Sequence, residues 1–379
     1  MAGPLEGLRV VELGGIGPVP HAGMMLADLG AEVIQIIRPG TVDDPATRAD
    51  VLNRGKLSMA VELKAEGAAG LILKLVAGSQ ALVEGFRPGV AERLGLGPDE
   101  CRAINPALVY GRMTGWGQEG PLATTAGHDI DYIAVSGALG AIGPPDRPYP
   151  PLNLVGDFGG GSMLLLAGVL AALVRAGTSG EGDVVDAAMV DGSALLMAMH
   201  HGALAGGWWT GHRGRDLFDG SAPFYTTYET ADGKWMAVGA LEPHFYARLL
   251  AGLGLDPDDL PGQMERDRWP DMRVEMAHRF RARTRAEWEE VFSGTDACVV
   301  GVYDMKEAPG HPHNRSRGTF VEREGVVQPA PAPRFVAGTQ PPGPVPRPGQ
   351  HTALLLERLG VDPRDVSRLA RDGVVQLEE

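Results

Sequence analysis

Two periods alternate from the start of the chain. LRVVEL ends a short apolar run of strand character at about residues 8–13, a Gly/Pro turn follows, and apolar positions from about Pro20 to Leu29 fall on one helical face. EVIQII at 32–37 is strand-like again, which closes a βαβ unit. The alternation continues. GAAGLILKLVAGSQ predicts a helix, ALVEGF a short strand, GVAERLGLG a turn of helix, and PALVYGRMTGWG another strand leaving into a loop. Strands that alternate with helices in this way predict a parallel, Rossmann-like sheet.

Beyond GDFGGGS at 156–162 the apolar run Met163 to Val174 predicts a buried helix, and GDVVDAAMVDGSALLMAMHHGAL predicts one more strand and helix to about residue 204. The character then changes. APFYTTYETADGKWMAVGALEPHF is strand-like and aromatic, with Asp232-Gly233 as a hairpin turn, and helical patterns follow near 244–253, 272–283 and 285–292. These features predict an α/β fold of two domains: residues 1–190 plus about 326–379 as the large one, and 222–310 as a smaller α+β one. Spans 191–221 and 311–325 are expected as linkers. Glu324 to Gln350 is rich in proline and lacks a period, so an extended path over a surface is expected there, before TALLLERLG returns as a helix.

A chain of 379 residues with 44% hydrophobic content can bury two cores. The 12-residue apolar run stops at Arg175, short of the roughly 20 residues a membrane span needs. With no signal-peptide pattern at the start, the expected location is the cytoplasm. Cys101 and Cys298 are the only cysteines and lack ligand spacing, so neither a disulfide framework nor a metal site is expected. A net charge of −14 argues against nucleic acid and anionic membranes as partners. A polyanionic ligand would require some of the 34 Lys and Arg to gather at one place.

The turn Gly14-Gly15-Ile16-Gly17-Pro18-Val19-Pro20 invites a dinucleotide reading, because glycines after a strand let phosphate approach a helix N-terminus. Pro20 stands where a third glycine belongs, and Glu32 and Gln35 come too early for the ribose carboxylate, so a plain βα turn is the better reading. Three proton-carrying residues lie among small neighbours: His128 in GHDIDY, Asp157 in GDFGGGS, and Glu242 in GALEPHF. Each has an ordinary explanation too, as a solvated loop histidine, a helix N-cap and a Glu-Pro helix opening.

Taken over longer stretches, the sequence resembles the family III CoA-transferases, and within them the branch that racemises 2-methylacyl-CoA thioesters. The resemblance is carried by PLEGLRVVELGGIGPVPHAGMMLADLGAEVI, LNRGKLSMAVELK, VEGFRPGVAERLGLG, YGRMTGWGQEGP, AGHDIDYIAVSG, PPLNLVGDFGGGSM, VVDAAMVDGSALL and APFYTTYETADGKWMAVGALEPHFY, from residue 2 to about 335. It implies that His128, supported by Glu242, faces one side of the substrate α-carbon and Asp157 the other, since inversion by proton transfer needs a base and an acid on opposite faces. It further implies that Arg38, Leu63, Lys64, Arg87 and Arg93 hold the CoA moiety and that Asp129 and Tyr132 line the pantetheine or active-site wall. Backbone N–H groups of Phe158, Gly159 and Gly160, at the expected helix start, would stabilise the enolate. CoA would be part of the substrate, with no prosthetic group and no metal. The resemblance also implies an interlocked homodimer with its active site at the subunit interface, which leaves open whether Glu242 acts in cis or in trans. The alternatives are a CoA-transferase that uses Asp157 as a covalent nucleophile, which would not need His128, and a catalytically idle CoA-binding subunit, against which the intact His, Asp and Glu set argues.

Overall fold

Val10, Val11 and Leu13 are all buried, so the first strand is covered on both faces, as strands of a parallel sheet are. The computed structural model describes residues 3–378. Its strands in chain order are β1 (Arg9–Leu13), β2 (Glu32–Ile37), β3 (Leu57–Val61), β4 (Ala81–Glu84), β5 (Val109–Thr114), β6 (Val184–Ala188), β7 (Tyr225–Glu229), β8 (Trp235–Gly239), β9 (Val299–Gly301), β10 (Phe320–Arg323), β11 (Val326–Pro329) and β12 (Val375–Gln376). Two compact units are present. The first comprises the described residues of Met1–Ser136, Leu152–Leu196 and Arg315–Glu379, and the second Gly137–Pro151 and Met197–Asn314.

In the first unit a seven-stranded sheet runs β12-β3-β2-β1-β4-β5-β6. Every neighbouring pair is parallel except β12 with β3. Alternate residues feed two cores, because side chains along a strand point to opposite faces. Val11, Leu13, Ile34, Leu82 and Tyr110 join one with Leu71, Ile72 and Leu75. Val10, Val33, Val83 and Val109 join the other. The helices that matter to the site are α1 (Pro18–Asp28), α2 (Ala68–Ala77), α3 (Asp129–Val135), α4 (Met163–Ser179) and α5 (Met189–Leu196). Residues of α2 pack in the first core; Val19 and Leu26 of α1 and Leu165 and Val169 of α4 pack in the second. The hairpin β10–β11 also belongs to this unit.

Two features depart from the sequence pattern. Leu154–Ser162 form a π-helical stretch that continues directly into α4, so the helical backbone begins earlier than GDFGGGS suggests. The wide turn brings backbones together: a methyl on Gly160 would lie 2.6 Å from Ser193 N, and one on Gly192 would lie 1.8 Å from the Gly160 oxygen. Only glycine permits that approach. The second departure concerns α4 itself, which is not the buried helix expected. Only Leu165, Leu166 and Val169 are buried, whereas Met163 is 44% and Val174 74% exposed. The run Leu154–Ser179 covers 26 residues and is long and apolar enough to cross a bilayer by length and composition. Its sheet-facing residues lie in the protein's own core.

In the second unit β7, β8 and β9 form an antiparallel sheet, with the hairpin turning at Asp232-Gly233 through Thr230 N–H to the Lys234 carbonyl at 2.9 Å. Helices Pro243–Leu253, Trp269–Phe280 and Arg285–Phe292 cover a core in which Phe224, Trp269, Phe280, Trp288 and Phe292 meet. The helix expected at 272–283 starts at Trp269 because Pro270 fits its first turn. The spans expected as linkers are partly regular: Ala198–Ala205 and Pro312–Arg317 are helical, and β10 begins at Phe320. Residues 137–151, expected in the large domain, pack in the second unit.

One buried ion pair ties the start of the sheet together. Lys56 Nζ donates to Glu12 Oε1 at 2.9 Å, lies 2.8 Å from Oε2, and donates to the Pro20 carbonyl in the first turn of α1 at 2.9 Å. Burial pushes the Glu12 carboxyl up and the Lys56 ammonium down, and each charge opposes the shift of the other. Removing one partner leaves the other uncompensated, so Lys56→Met should lower the unfolding free energy by about 3–5 kcal/mol in urea titrations. The double variant Glu12→Gln, Lys56→Met should recover part of that loss, and a double variant no better than the single one would contradict this account.

Candidate active site

The strand order 3-2-1-4-5-6 reverses direction at β1, so the turns leaving β1 and β4 part from each other at one edge of the sheet. Such a divergence makes a crevice at the carboxyl ends of the strands. Residues following the parallel strands therefore share this edge: Gly14 to Gly17 after β1, Arg38 after β2, Leu63 and Lys64 after β3, Arg87 after β4, and Gly115 and Trp116 after β5.

Asp157 sits at the turn after β1. Gly17 has φ 74°, and a methyl there would lie 3.3 Å from Asp157 Oδ2, so the turn requires glycine both for its backbone and for its closeness to the carboxylate. The Asp157 N–H donates to Asp129 Oδ1 at 2.7 Å, and Asn153 Nδ2 donates to Asp157 Oδ2 at 3.0 Å. Burial raises the Asp157 carboxyl above its usual range. The hydrogen bond from Asn153 and the nearby His128 oppose the rise, while the Asp129 charge adds to it. The effect of His128 on that carboxyl places the two residues in one electrostatic neighbourhood.

His128 is exposed and is the N-cap of α3; its N–H donates to Asp131 Oδ2 at 2.9 Å. The same helix buries Asp129 and Tyr132. The Tyr132 hydroxyl donates to the Gly127 carbonyl, and its ring meets Trp116 edge-on at 4.8 Å. Burial, then the charges of Asp157 and Asp131, raise the phenol, with Arg87 opposing. A cavity of about 140 Å³ is lined by Phe86, Arg87, Trp116, Gly127, Tyr132 and Met189. A larger hollow of about 820 Å³ lies between Arg48, Leu57, Val345 and His351, at the amino end of β3 and away from this edge. Its volume alone does not make it the site, because the proton-carrying residues lie at the carboxyl ends.

Arg38, Lys64, Arg87 and Arg93 are all exposed, and Leu63 packs partly against the core. Phe158, Gly159 and Gly160, expected ahead of a helix, lie inside the π-helical stretch, where backbone N–H groups bond carbonyls five residues back. Glu242 lies in the second unit, exposed, as the N-cap of Pro243–Leu253. Among the described residues no group of three His, Cys, Asp or Glu side chains is placed to hold a metal.

The sequence reading missed the supports of the edge. Glu84 Oε2 accepts from Phe86 N–H at 2.6 Å, and Arg112 bridges Glu84 and Glu92 at 3.0 and 2.8 Å, which fixes the turn that carries Arg87. A signal existed: Glu12, Glu84 and Arg112 are charges set beside apolar residues in buried strand segments, and a charge there must be paired.

Residues 5–352 match the model of CoA-transferase family III. The chain belongs to this family. As a family III member it is 43% identical over 380 residues to a mouse protein named alpha-methylacyl-CoA racemase, which covers 99% of this chain and 98% of the relative. A human protein of the same name is 43% identical over 376 residues, 98% of this chain and 97% of that one. Among solved structures, a CaiB/BaiF family protein from Brucella suis superposes with TM-score 0.80 at 24% identity, over 95% of this chain and 100% of the other, which shows that the two share a fold.

The raised Asp157 carboxyl has a consequence for stability. The folded state holds that proton to higher pH than the unfolded state, whose value is near 3.8. The stability it contributes is therefore present at low pH and is lost as pH rises through the folded value. Asp157→Asn stays neutral throughout. Thermal melts from pH 4 to 7 should show the variant gaining on the parent as pH rises, and a difference independent of pH would contradict the shift.

Proposed function

We propose that this family III protein racemises 2-methylacyl-CoA thioesters. The observation that carries the reading is the placement of Asp157, half-buried with a raised carboxyl, at the sheet's divergent edge and in the same neighbourhood as His128. The near-full-length likeness to two proteins named alpha-methylacyl-CoA racemase supports it. In the proposed reaction one residue takes the α-proton, the C–H electron pair moves into the thioester as an enolate, and the other residue returns a proton to the opposite face. A carboxyl held above its usual range by burial suits a group that must serve as acid in one direction and base in the other. The enolate would be stabilised by the positive amino end of the helical run that begins at Leu154, not by the N–H groups of Gly159 and Gly160, which are bonded inside that run.

Arg38, Leu63, Lys64, Arg87 and Arg93, on or near the carboxyl edge, are assigned to the CoA moiety, and Asp129 and Tyr132 to the wall of the site. The structure gives Asp129 a further task, since its Oδ1 accepts the Asp157 N–H. Glu242 is assigned to the support of His128. CoA enters and leaves as part of the substrate, no prosthetic group takes part, and the proposed location is the cytoplasm.

The test is to incubate (2R)- and (2S)-methylacyl-CoA separately in deuterated water and follow chirality and α-deuterium. Both isomers should move toward an equal mixture with one deuterium at the α-carbon. His128→Ala and Asp157→Asn should each slow inversion by at least ~10²-fold, equally in both directions. Each variant should retain exchange in a different isomer. Acyl movement to an added carboxylate without α-labelling would replace this reading with that of a CoA-transferase.

We further propose a homodimer. Its support is the apolar surface of α4 and α5, where Met163, Val174, Leu195 and Leu196 are exposed in the single chain. Sedimentation at nanomolar concentration should give twice the chain mass of 40.0 kDa. An active monomer would refute the assembly.

A further inference from the structure

The π-helical stretch that carries Asp157 is held from α1 by a short hydrogen-bonded chain. His21 lies one turn beyond Gly17 on α1, and its Nδ1 is 2.7 Å from Ser162 Oγ. Ser162 is fully buried, and its hydroxyl donates to the Phe158 carbonyl at 3.0 Å. The His21 ring also lies against the Phe158 ring, with centroids 4.8 Å apart. Phe158 is thus gripped at its carbonyl and at its side chain, and it directly follows Asp157 in the chain. A hydroxyl has one proton. With that proton spent on the Phe158 carbonyl, Ser162 can only accept from His21, and His21 must carry hydrogen on Nδ1.

We infer that His21 is a positioning residue for proton transfer at Asp157, acting through Ser162 and the Phe158 carbonyl to keep the turn in its π form. This rests on the reading of Asp157 as a proton-transferring group. The need for such a grip is geometric. A π-helical turn holds one residue more than an α-helical turn. Relaxation of residues 154–162 to α spacing would swing Asp157 away from Gly17 and from its N–H partner Asp129. The serine by itself does not decide between the two, since back-bonding to the carbonyl four residues earlier is also available in an α-helix. The partner arriving from α1 supplies the fixed reference.

The charged groups facing each member are few. Burial, joined by the charges of Arg54 and Lys56, lowers the basicity of His21 and favours its neutral ring, which adds no charge beside the carboxyl. Asp157 feels Asp129 and His128 from the α3 segment and accepts from Asn153. If the turn loosens, water reaches Asp157, the burial that raises its carboxyl weakens, and the acid limb of the rate profile moves to lower pH.

The experiment measures α-deuterium exchange and inversion as a function of pH for the parent, His21→Ala, His21→Asn, His21→Gln and Ser162→Ala, together with nitrogen-15 NMR of the histidine rings. His21→Ala should lower kcat by between about tenfold and a hundredfold, the range of a misplaced reacting group, with little change in KM and with the acid limb moved down. Asn carries an N–H near the place of Nδ1 and should restore both rate and profile, whereas Gln, whose N–H falls nearer Nε2, should not. Ser162→Ala should reproduce the His21→Ala profile, which keeps the test decisive if His21→Ala fails to fold. The parent His21 should be a neutral Nδ1–H tautomer. A parent that exchanges normally while both His21→Ala and Ser162→Ala keep its kcat and acid limb, or a His21 found as the Nε2–H tautomer, overturns the positioning role and leaves the racemase reading standing. A parent that neither exchanges nor inverts overturns the racemase reading itself.

Discussion

A pair of opposite charges inside the sheet determines where the chemistry can sit. Glu12 and Lys56 have almost no access to water, and the ammonium reaches past the carboxylate to the carbonyl of Pro20. Two buried charges of this kind contribute little net stability, because desolvation offsets their attraction. What they fix is geometry. The end of β1, the first turn of α1 and the start of β3 are held at one point, so the glycine turn between β1 and α1 cannot drift. Asp157 rests on that turn, and its position is inherited from a contact in which it takes no part.

The chemistry then follows from how tightly small residues let backbones approach. The glycine at 17 admits a carboxylate, and glycines at 160 and 192 admit one helix against another. The Asp157 carboxyl is half withdrawn from water and lies near a second carboxylate, Asp129, which is occupied with its N–H. Proton affinity rises by removal of solvent and by like charge, with no need of a distant network. The exposed His128 stands under different conditions. Two proton carriers in unlike surroundings are what a reaction requires when it must deliver a proton to either face of one carbon.

The alternating pattern was legible in the sequence wherever burial on both faces forced mostly apolar strands, as in RVVEL and ALVE, and wherever a turn had one chemical solution, as at Asp232-Gly233. The two-residue β12 was illegible, since a strand that short has no period to show. The π-helical stretch was illegible for a related reason: glycines at 159, 160 and 161 carry no side-chain pattern, so only the partners at Ser193 and His21 reveal its spacing. The exposure of α4 misled in the opposite sense. Its residues are apolar all round, which reads as interior, and sequence does not say whether interior is supplied by the same chain. The resemblance placed His128 and Asp157 in one reaction, and the structure adds what holds them, including Asp129, which appeared in the sequence only as a residue of the wall.

The last strand carries a consequence for how the protein is made. β12 at Val375–Gln376 closes the edge of the main sheet by pairing with β3 at Ala60 and Val61. More than three hundred residues separate these partners in the chain. At a synthesis rate of about 5–20 residues per second, the open edge of β3 waits on the order of 15–60 s for its cover. During that interval it offers unpaired backbone groups to any extended segment nearby. The large unit cannot close its sheet until these residues have emerged, because they carry the strand that seals the edge of β3.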